Sequence, residues 1–289
     1  MIALIIGANG QDGYYLRELL QENKIDTVGI SRSGGFLNIN LTDPLEVTSL
    51  LKTKMPDYIF HLAANSTTRY DVWRENHDTI STGTLNVLEA ARLIVPESKI
   101  FLSGSGLQFV NNGVPITESD PFDATSMYAV SRIHTTYAAR YFRSLGLKVY
   151  NGYFFNHDSP LRSEKHVAKR ITEAVKRISE GSGEKLEIGN IAVRKEWGYA
   201  GDSVNAVWKL VNQESVFEAI IGTGEAYSIK EWLELCFKQK GLNWEDHVTE
   251  IPGFLPEYSV LVSDPSLIKS LGWQPKVLFE DLSKMMLKF

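Results

Sequence analysis

The 289-residue chain carries one cysteine, Cys236. A single thiol excludes an intramolecular disulfide and fits a reducing cytoplasm. On a helical stretch it reads as a small buried apolar residue rather than a nucleophile. Apolar runs of membrane-spanning length are also missing. The opening IALIIG is too short and passes straight into glycines, so neither a span nor a signal peptide is expected. Positive charge is not in surplus: 30 Lys and Arg stand against 35 Asp and Glu. That argues against nucleic acid or an anionic membrane as a general partner, while leaving room for a local basic pocket. His61, His77, His134, His157, His166 and His247 show no metal-like spacing with Cys or Asp, so no metal site is expected. Low-complexity tracts and internal repeats are absent as well.

What is present is alternation. IALII (2–6), TVGI (27–30), YIFHL (58–62), KIFLS (99–103) and LKVYNGYF (147–154) read as strands. They are apolar on both faces, as buried parallel strands must be. Helices are predicted near 13–22, 44–54, 81–94 and 128–145, the third with Leu85, Leu88 and Ala91 at helical spacing. The alternation implies an α/β fold: a Rossmann-type doubly wound parallel sheet with helices on both faces. After about residue 160 the pattern changes. Helices are predicted near 166–180, with Val167, Ile171, Ala174 and Ile178 on one face, and near 202–212 and 228–240. We divide the chain into a dinucleotide-binding domain, 1–160, and a smaller mixed α/β lobe, 161–289, some of whose segments return to the first.

The first strand runs into GANGQDG, which places Gly7, Gly10 and Gly13 between a strand and a helix. Glycine permits the tight turn and close backbone approach, and the helix amino terminus offers free N–H groups to a diphosphate. The second strand ends GISRSGG. An acid there would accept from a ribose 2′-hydroxyl; none is present, and Arg32 instead suits a 2′-phosphate, which favours NADP over NAD. Further on, SMYAVSR sets Tyr128 and Arg132 on one helix face. A phenol is a poor base at neutral pH, and a fixed cation beside it favours the phenolate. Ser105, just past KIFLS, is placed to hold a substrate oxygen meanwhile.

Four longer stretches carry a resemblance. GANGQDGYYLRELL, FFNHDSPLR (154–162), IGNIAVRKEWGYAGDSVNAVW (188–208) and SDPSLIKSLGWQPKVLFEDL (263–282) are similar to segments of the extended short-chain dehydrogenase/reductases, and within them of the GDP-mannose 4,6-dehydratase family. The resemblance implies a GDP-hexose substrate and a nicotinamide cofactor. By position it assigns Gly7, Gly10, Gln11, Asp12, Gly13, Arg32, Ala63 and Ala64 to the cofactor. Asn156, Val167, Arg170, Asn190 and Lys195 are assigned to the GDP-sugar, and Ser105, Tyr128 and Arg132 to the chemistry. It also implies a homodimer paired through the helices near 81–94 and 128–145.

The departures from the family pattern sharpen the question. Arg132 stands where the resemblance implies a lysine, Ser105 where it implies a threonine, and Leu107 where it implies the glutamate that removes water across the sugar 5,6 bond. Leucine cannot transfer a proton. Lys195 and Leu255 replace family arginines, and the loop after SRSGG is shorter. Three readings stay open: redox at the sugar C4 without dehydration, a non-redox isomerase of the pyranose–furanose type, and a catalytically silent GDP-sugar binder. Glu118 and Asp120 are the nearby acids that a substitute for residue 107 would draw on.

Overall fold

The computed structural model describes residues 1–288. Its first half alternates strand and helix, with two helices between β3 and β4: β1 Ile2–Ile6, α1 Gln11–Glu22, β2 Asp26–Ile30, α2 Pro44–Lys54, β3 Tyr58–His61, a short α3 Trp73–Asn76, α4 Gly83–Ile94, β4 Lys99–Ser105, α5 Met127–Ser144 and β5 Lys148–Phe154. Local chemistry sets the ends. Asp43 caps α2 by accepting from Leu45 N at 2.8 Å, Pro44 fills the first turn where no N–H is needed, and Ser126 caps α5 by accepting from Ala129 N at 3.1 Å. The second half holds β6 His157–Asp158, α6 Val167–Ser179, β7 Leu186–Ile188, β8 Arg194–Glu196, β9 Gly198–Tyr199, α7 Ala200–Val211, β10 Glu218–Ile221, β11 Ala226–Ser228, α8 Ile229–Lys238, β12 Val248–Glu250, β13 Val260–Leu261, α9 Ser266–Ser270 and α10 Phe279–Lys288.

Six strands form one parallel sheet in the order β2-β1-β3-β4-β5-β10. Its two faces are both apolar, as the strand composition requires. Leu16 and Leu20 of α1 and Val207 and Leu210 of α7 bury one face with Ile5, Phe60 and Phe101. Val47 and Leu51 of α2, Leu88 and Ala91 of α4 and Ala139 of α5 bury the other with Leu4, Ile59 and Ile100. The predicted α4 stripe is corrected at one position: Leu88 and Ala91 face inward, but Leu85 is 38% exposed and Val87 takes its place. A separate core joins α6, α8 and α10, where Trp197 stacks on Trp232 at 4.5 Å and Cys236 is fully buried. Burial pushes that thiol well above its ordinary range, away from the reactive thiolate. α7 and β10 come from the second half of the chain yet complete the first sheet.

Candidate active site

The strand order reverses between β1 and β3, which opens a crevice at their carboxyl ends. The chain turns there at Gly7, with φ of +99°. A Cβ at Gly7 would lie 2.8 Å from Ala63 N, and one at Gly13 would lie 2.7 Å from Ala8 Cα and press on the Gly7 carbonyl. Neither position has room for a side chain. Gly10 begins α1 and no side chain caps it, so the helix amino terminus is left facing the crevice. The resulting groove has a volume of about 770 Å³, and all eight residues assigned to the cofactor line it: Gly7, Gly10, Gln11, Asp12, Gly13, Arg32, Ala63 and Ala64. Its chemistry suits a dinucleotide diphosphate. Arg32 stands at the rim with its side chain 71% exposed, 3.4 Å from Glu75.

A second pocket of about 280 Å³ lies deeper, and Ser105, Tyr128, Arg132 and Asn156 are all in its walls. It shares Asp12, Leu62, Ser66 and Arg162 with the groove. Ser105 ends β4 and caps a short turn: its hydroxyl oxygen accepts from Leu107 N at 3.2 Å, and its N–H donates to Gln108 Oε1 at 2.9 Å. Gln108, fully buried, donates in turn to Thr136 of α5 at 3.0 Å, which locks β4 to the tyrosine helix. Among the described residues the Ser105 hydroxyl has no acceptor, so its hydrogen is free for a ligand oxygen. Tyr128 sits on the first turn of α5, and the Arg132 guanidinium lies 5.1 Å from its ring centre.

Arg132 is buried. The guanidinium donates to the Ser103 carbonyl oxygen and, at 2.8 Å, to the Ser103 hydroxyl. Ser103 donates onward to the His61 carbonyl at 3.1 Å. The cation is therefore anchored to the carboxyl-terminal part of β4, beside the tyrosine ring. Burial, and then the Arg132 charge, push the His61 imidazole down to about 4, so it is neutral near pH 7.

The remaining sugar-site assignments fall elsewhere. Of Asn156, Val167, Arg170, Asn190 and Lys195, only Asn156 lines this pocket. Val167 packs against the small-lobe core, Arg170 is exposed on α6, and Asn190 accepts from Ala192 N at 2.8 Å within its own turn. Lys195 is buried with its ammonium 4.4 Å from the Trp197 ring centre. Burial holds it below the ordinary lysine range, against the pull of Asp158 and with the help of Arg162. Leu107 lines both this pocket and an adjoining cleft of about 630 Å³. Neither Glu118 nor Asp120 takes over its position: Glu118 accepts from Ile220 N at 2.8 Å, and Asp120 accepts from Thr117 N at 2.7 Å.

Sequence reasoning did not single out Arg162, Glu257 or Tyr258, which line the pocket together with His157. Two motifs read separately turn out to be bonded together. Gln11 donates to the His157 carbonyl at 3.2 Å and accepts from Ser159 at 2.9 Å, while His157 Nε2 lies 2.9 Å from Asp12 Oδ1. Burial opposes charge on both members of this pair, yet their mutual attraction prevails: Asp12 is held below its ordinary value and His157 above.

A glycine turn at the reversal of a parallel sheet, with a serine, a tyrosine and a buried cation facing it, defines an extended short-chain dehydrogenase/reductase. Solved structures agree on the fold. UDP-glucose 4-epimerase of Thermotoga maritima, solved with UDP-glucose, superposes with a TM-score of 0.88 at 22% identity, over 100% of this chain and 98% of that one. RMD of Pseudomonas aeruginosa, solved with NADPH, gives 0.86 at 19% identity, over 99% and 97%. Within that class, the GDP-mannose 4,6 dehydratase family model matches residues 32–286. GDP-mannose 4,6 dehydratase 1 of Arabidopsis thaliana is 37% identical, over 99% of this chain and 88% of its own length. The GDP-mannose 4,6-dehydratase of Vibrio cholerae serotype O1 is 30% identical, over 97% and 91%. The chain belongs to the GDP-mannose 4,6-dehydratase family of enzymes.

Proposed function

We propose that the protein is a nicotinamide-dependent enzyme that oxidises or reduces a GDP-hexose at C4, with NADP preferred over NAD. One observation carries this reading: the pocket holding Ser105, Tyr128 and Arg132 shares walls with a groove shaped for a dinucleotide. A bound nicotinamide supplies the hydride acceptor or donor; the glycine turn and the amino terminus of α1 would hold its diphosphate, and Ala63 and Ala64 would lie against it. The names of the relatives support GDP-mannose or a close analogue as substrate, and the NADPH and NAD bound to neighbouring structures support the cofactor class.

The chain's own residues divide the work at the sugar. Ser105 donates its free hydroxyl hydrogen to the C4 oxygen and orients it. Tyr128 takes the C4 hydroxyl proton during oxidation and returns it during reduction. Arg132, fixed to Ser103, stands beside the ring as a fixed positive charge. Leu107 offers no proton, so water loss across the 5,6 bond is not part of this reading. Residues 1–160, completed by α7 and β10, would hold the dinucleotide, and the rest of the chain the GDP-sugar. A homodimer through α4 and α5 is supported by Tyr137 and Tyr141, which stand about 60% exposed on α5.

The test is to incubate the purified protein with GDP-mannose, or with a 4-keto GDP-sugar, and NADP(H). Absorbance change in the nicotinamide band with a matching product is expected. No change and no product with any nucleotide sugar would remove the proposal.

A further inference from the structure

The hydrogen bonds of His157 fix its charge. Nδ1 lies 2.9 Å from the Phe155 carbonyl oxygen and Nε2 lies 2.9 Å from the Asp12 carboxylate. Both partners are acceptors, and only the imidazolium donates from both ring nitrogens. Asp12 occupies the second position of α1 and lines both the dinucleotide groove and the sugar pocket. A bare carboxylate there would stand among the N–H groups meant for a diphosphate and repel it. We propose that His157 is a positioning residue for the dinucleotide: as a fixed cation it cancels the charge of Asp12 and keeps the amino terminus of α1 open to a diphosphate. The inference rests on the dinucleotide reading above.

Of the cations near Asp12, His157 acts most strongly, and Arg162 adds a weaker pull from further off. Arg162 faces the same junction, but its Nε is 3.4 Å from Asp158 and its Nη2 is 3.2 Å from His166 Nδ1. His166 is pushed down to about 4 by burial and by Arg162, so it adds no charge near pH 7, and the Lys195 ammonium sits over the Trp197 ring. Among the described residues the ion pair to His157 is the one Asp12 makes. Mechanical attachment has a separate source, because Gln11 holds the His157 carbonyl and the Ser159 hydroxyl through neutral bonds. Those bonds involve neither the imidazole nor the Asp12 carboxylate.

NADPH is titrated by fluorescence into wild type, H157N, D12N and the D12N/H157N double variant, with thermal midpoints as the check on folding and H157Q in reserve if H157N is unstable. H157N is expected to weaken NADPH binding on the order of tenfold, one pKa unit's worth of interaction. The double variant, which has neither charge, is expected to return to within about threefold of wild type. A double variant as weak as H157N would reduce His157 to a mechanical clip and overturn the proposal, as would unchanged binding in H157N. Wild type that binds no dinucleotide would overturn this inference together with the reading it rests on, and is distinguished from the other outcomes by that result alone.

Discussion

Arg132 is fixed by the fold in a way its residue type alone does not dictate. A lysine reaches as a point charge on a flexible stem, whereas this guanidinium is pinned between the Ser103 carbonyl and hydroxyl with the tyrosine ring 5.1 Å away. The division of labour among these residues is testable one side chain at a time. Y128F should lower hydride transfer by roughly 10²–10⁴-fold, the range for loss of a positioned proton-transfer group. NADPH affinity measured by fluorescence should stay within about twofold of wild type; a comparable loss of affinity would mean that the ring holds the cofactor rather than moves a proton. L107E places a carboxylate where the pocket meets the adjoining cleft. With GDP-mannose and NADP it should yield a 4-keto-6-deoxy product, followed by NMR, that wild type does not form. If the variant gives only the products of wild type, residue 107 does not face C5 and C6.

At the level of elements, α5 matters because it carries both Tyr128 and Arg132. Besides the Arg132 anchor to Ser103, two further ties hold it. Near the site, Gln108 ties it to β4. At the sheet edge, Arg140 and Arg143 of α5 converge on Glu218 of β10, which also accepts from the Tyr153 hydroxyl at 2.6 Å. Burial raises the cost of the Glu218 charge, but these partners outweigh it and pull the carboxyl down to about 2. Removing the charge leaves two arginines facing each other in a half-buried site, so E218Q should cost about 2–3 kcal/mol in urea unfolding, below the range for a fully buried pair. Y153F removes one hydrogen bond and should cost about 1 kcal/mol. The first five strands of the sheet were readable because each is a short apolar run bounded by turn residues. β10 was not: Glu-Ala-Ile-Ile is four residues with no period, and it reaches the sheet through contacts 60 or more positions away in sequence. Leu85 was misplaced for a related reason, since a three-residue spacing fits either side of the true inward stripe.

The whole molecule stores a sensitivity to acid. His61 is fully enclosed, and burial pushes its imidazole from the ordinary 6.5 down to about 4. The unfolded chain therefore takes the proton first as pH falls. Stability from this group is complete above about 6.5 and is lost progressively down to about 4, by roughly 3 kcal/mol. Glu218 acts in the same direction at lower pH, between its ordinary 4.5 and about 2. Unfolding free energy measured from pH 7 to 4.5 should fall steeply in wild type and less so in H61N. Parallel curves for the two proteins would remove His61 as the cause.

Local pattern was enough to establish the parallel sheet, the glycine turn and the tyrosine helix, because periodicity, chirality and the conformational demands on glycine act over a few residues at a time. The family resemblance, carried over by position, named eight of the residues that line the groove and four that line the deeper pocket. Pairings across long separations lay beyond local pattern. That Asp12 meets a histidine 145 positions later, that Arg132 turns to Ser103, that Lys195 is buried over Trp197 and that β10 closes the sheet all depend on which surfaces pack together. Packing is decided by the shape and burial of the assembled chain, and no short window of residues carries that information.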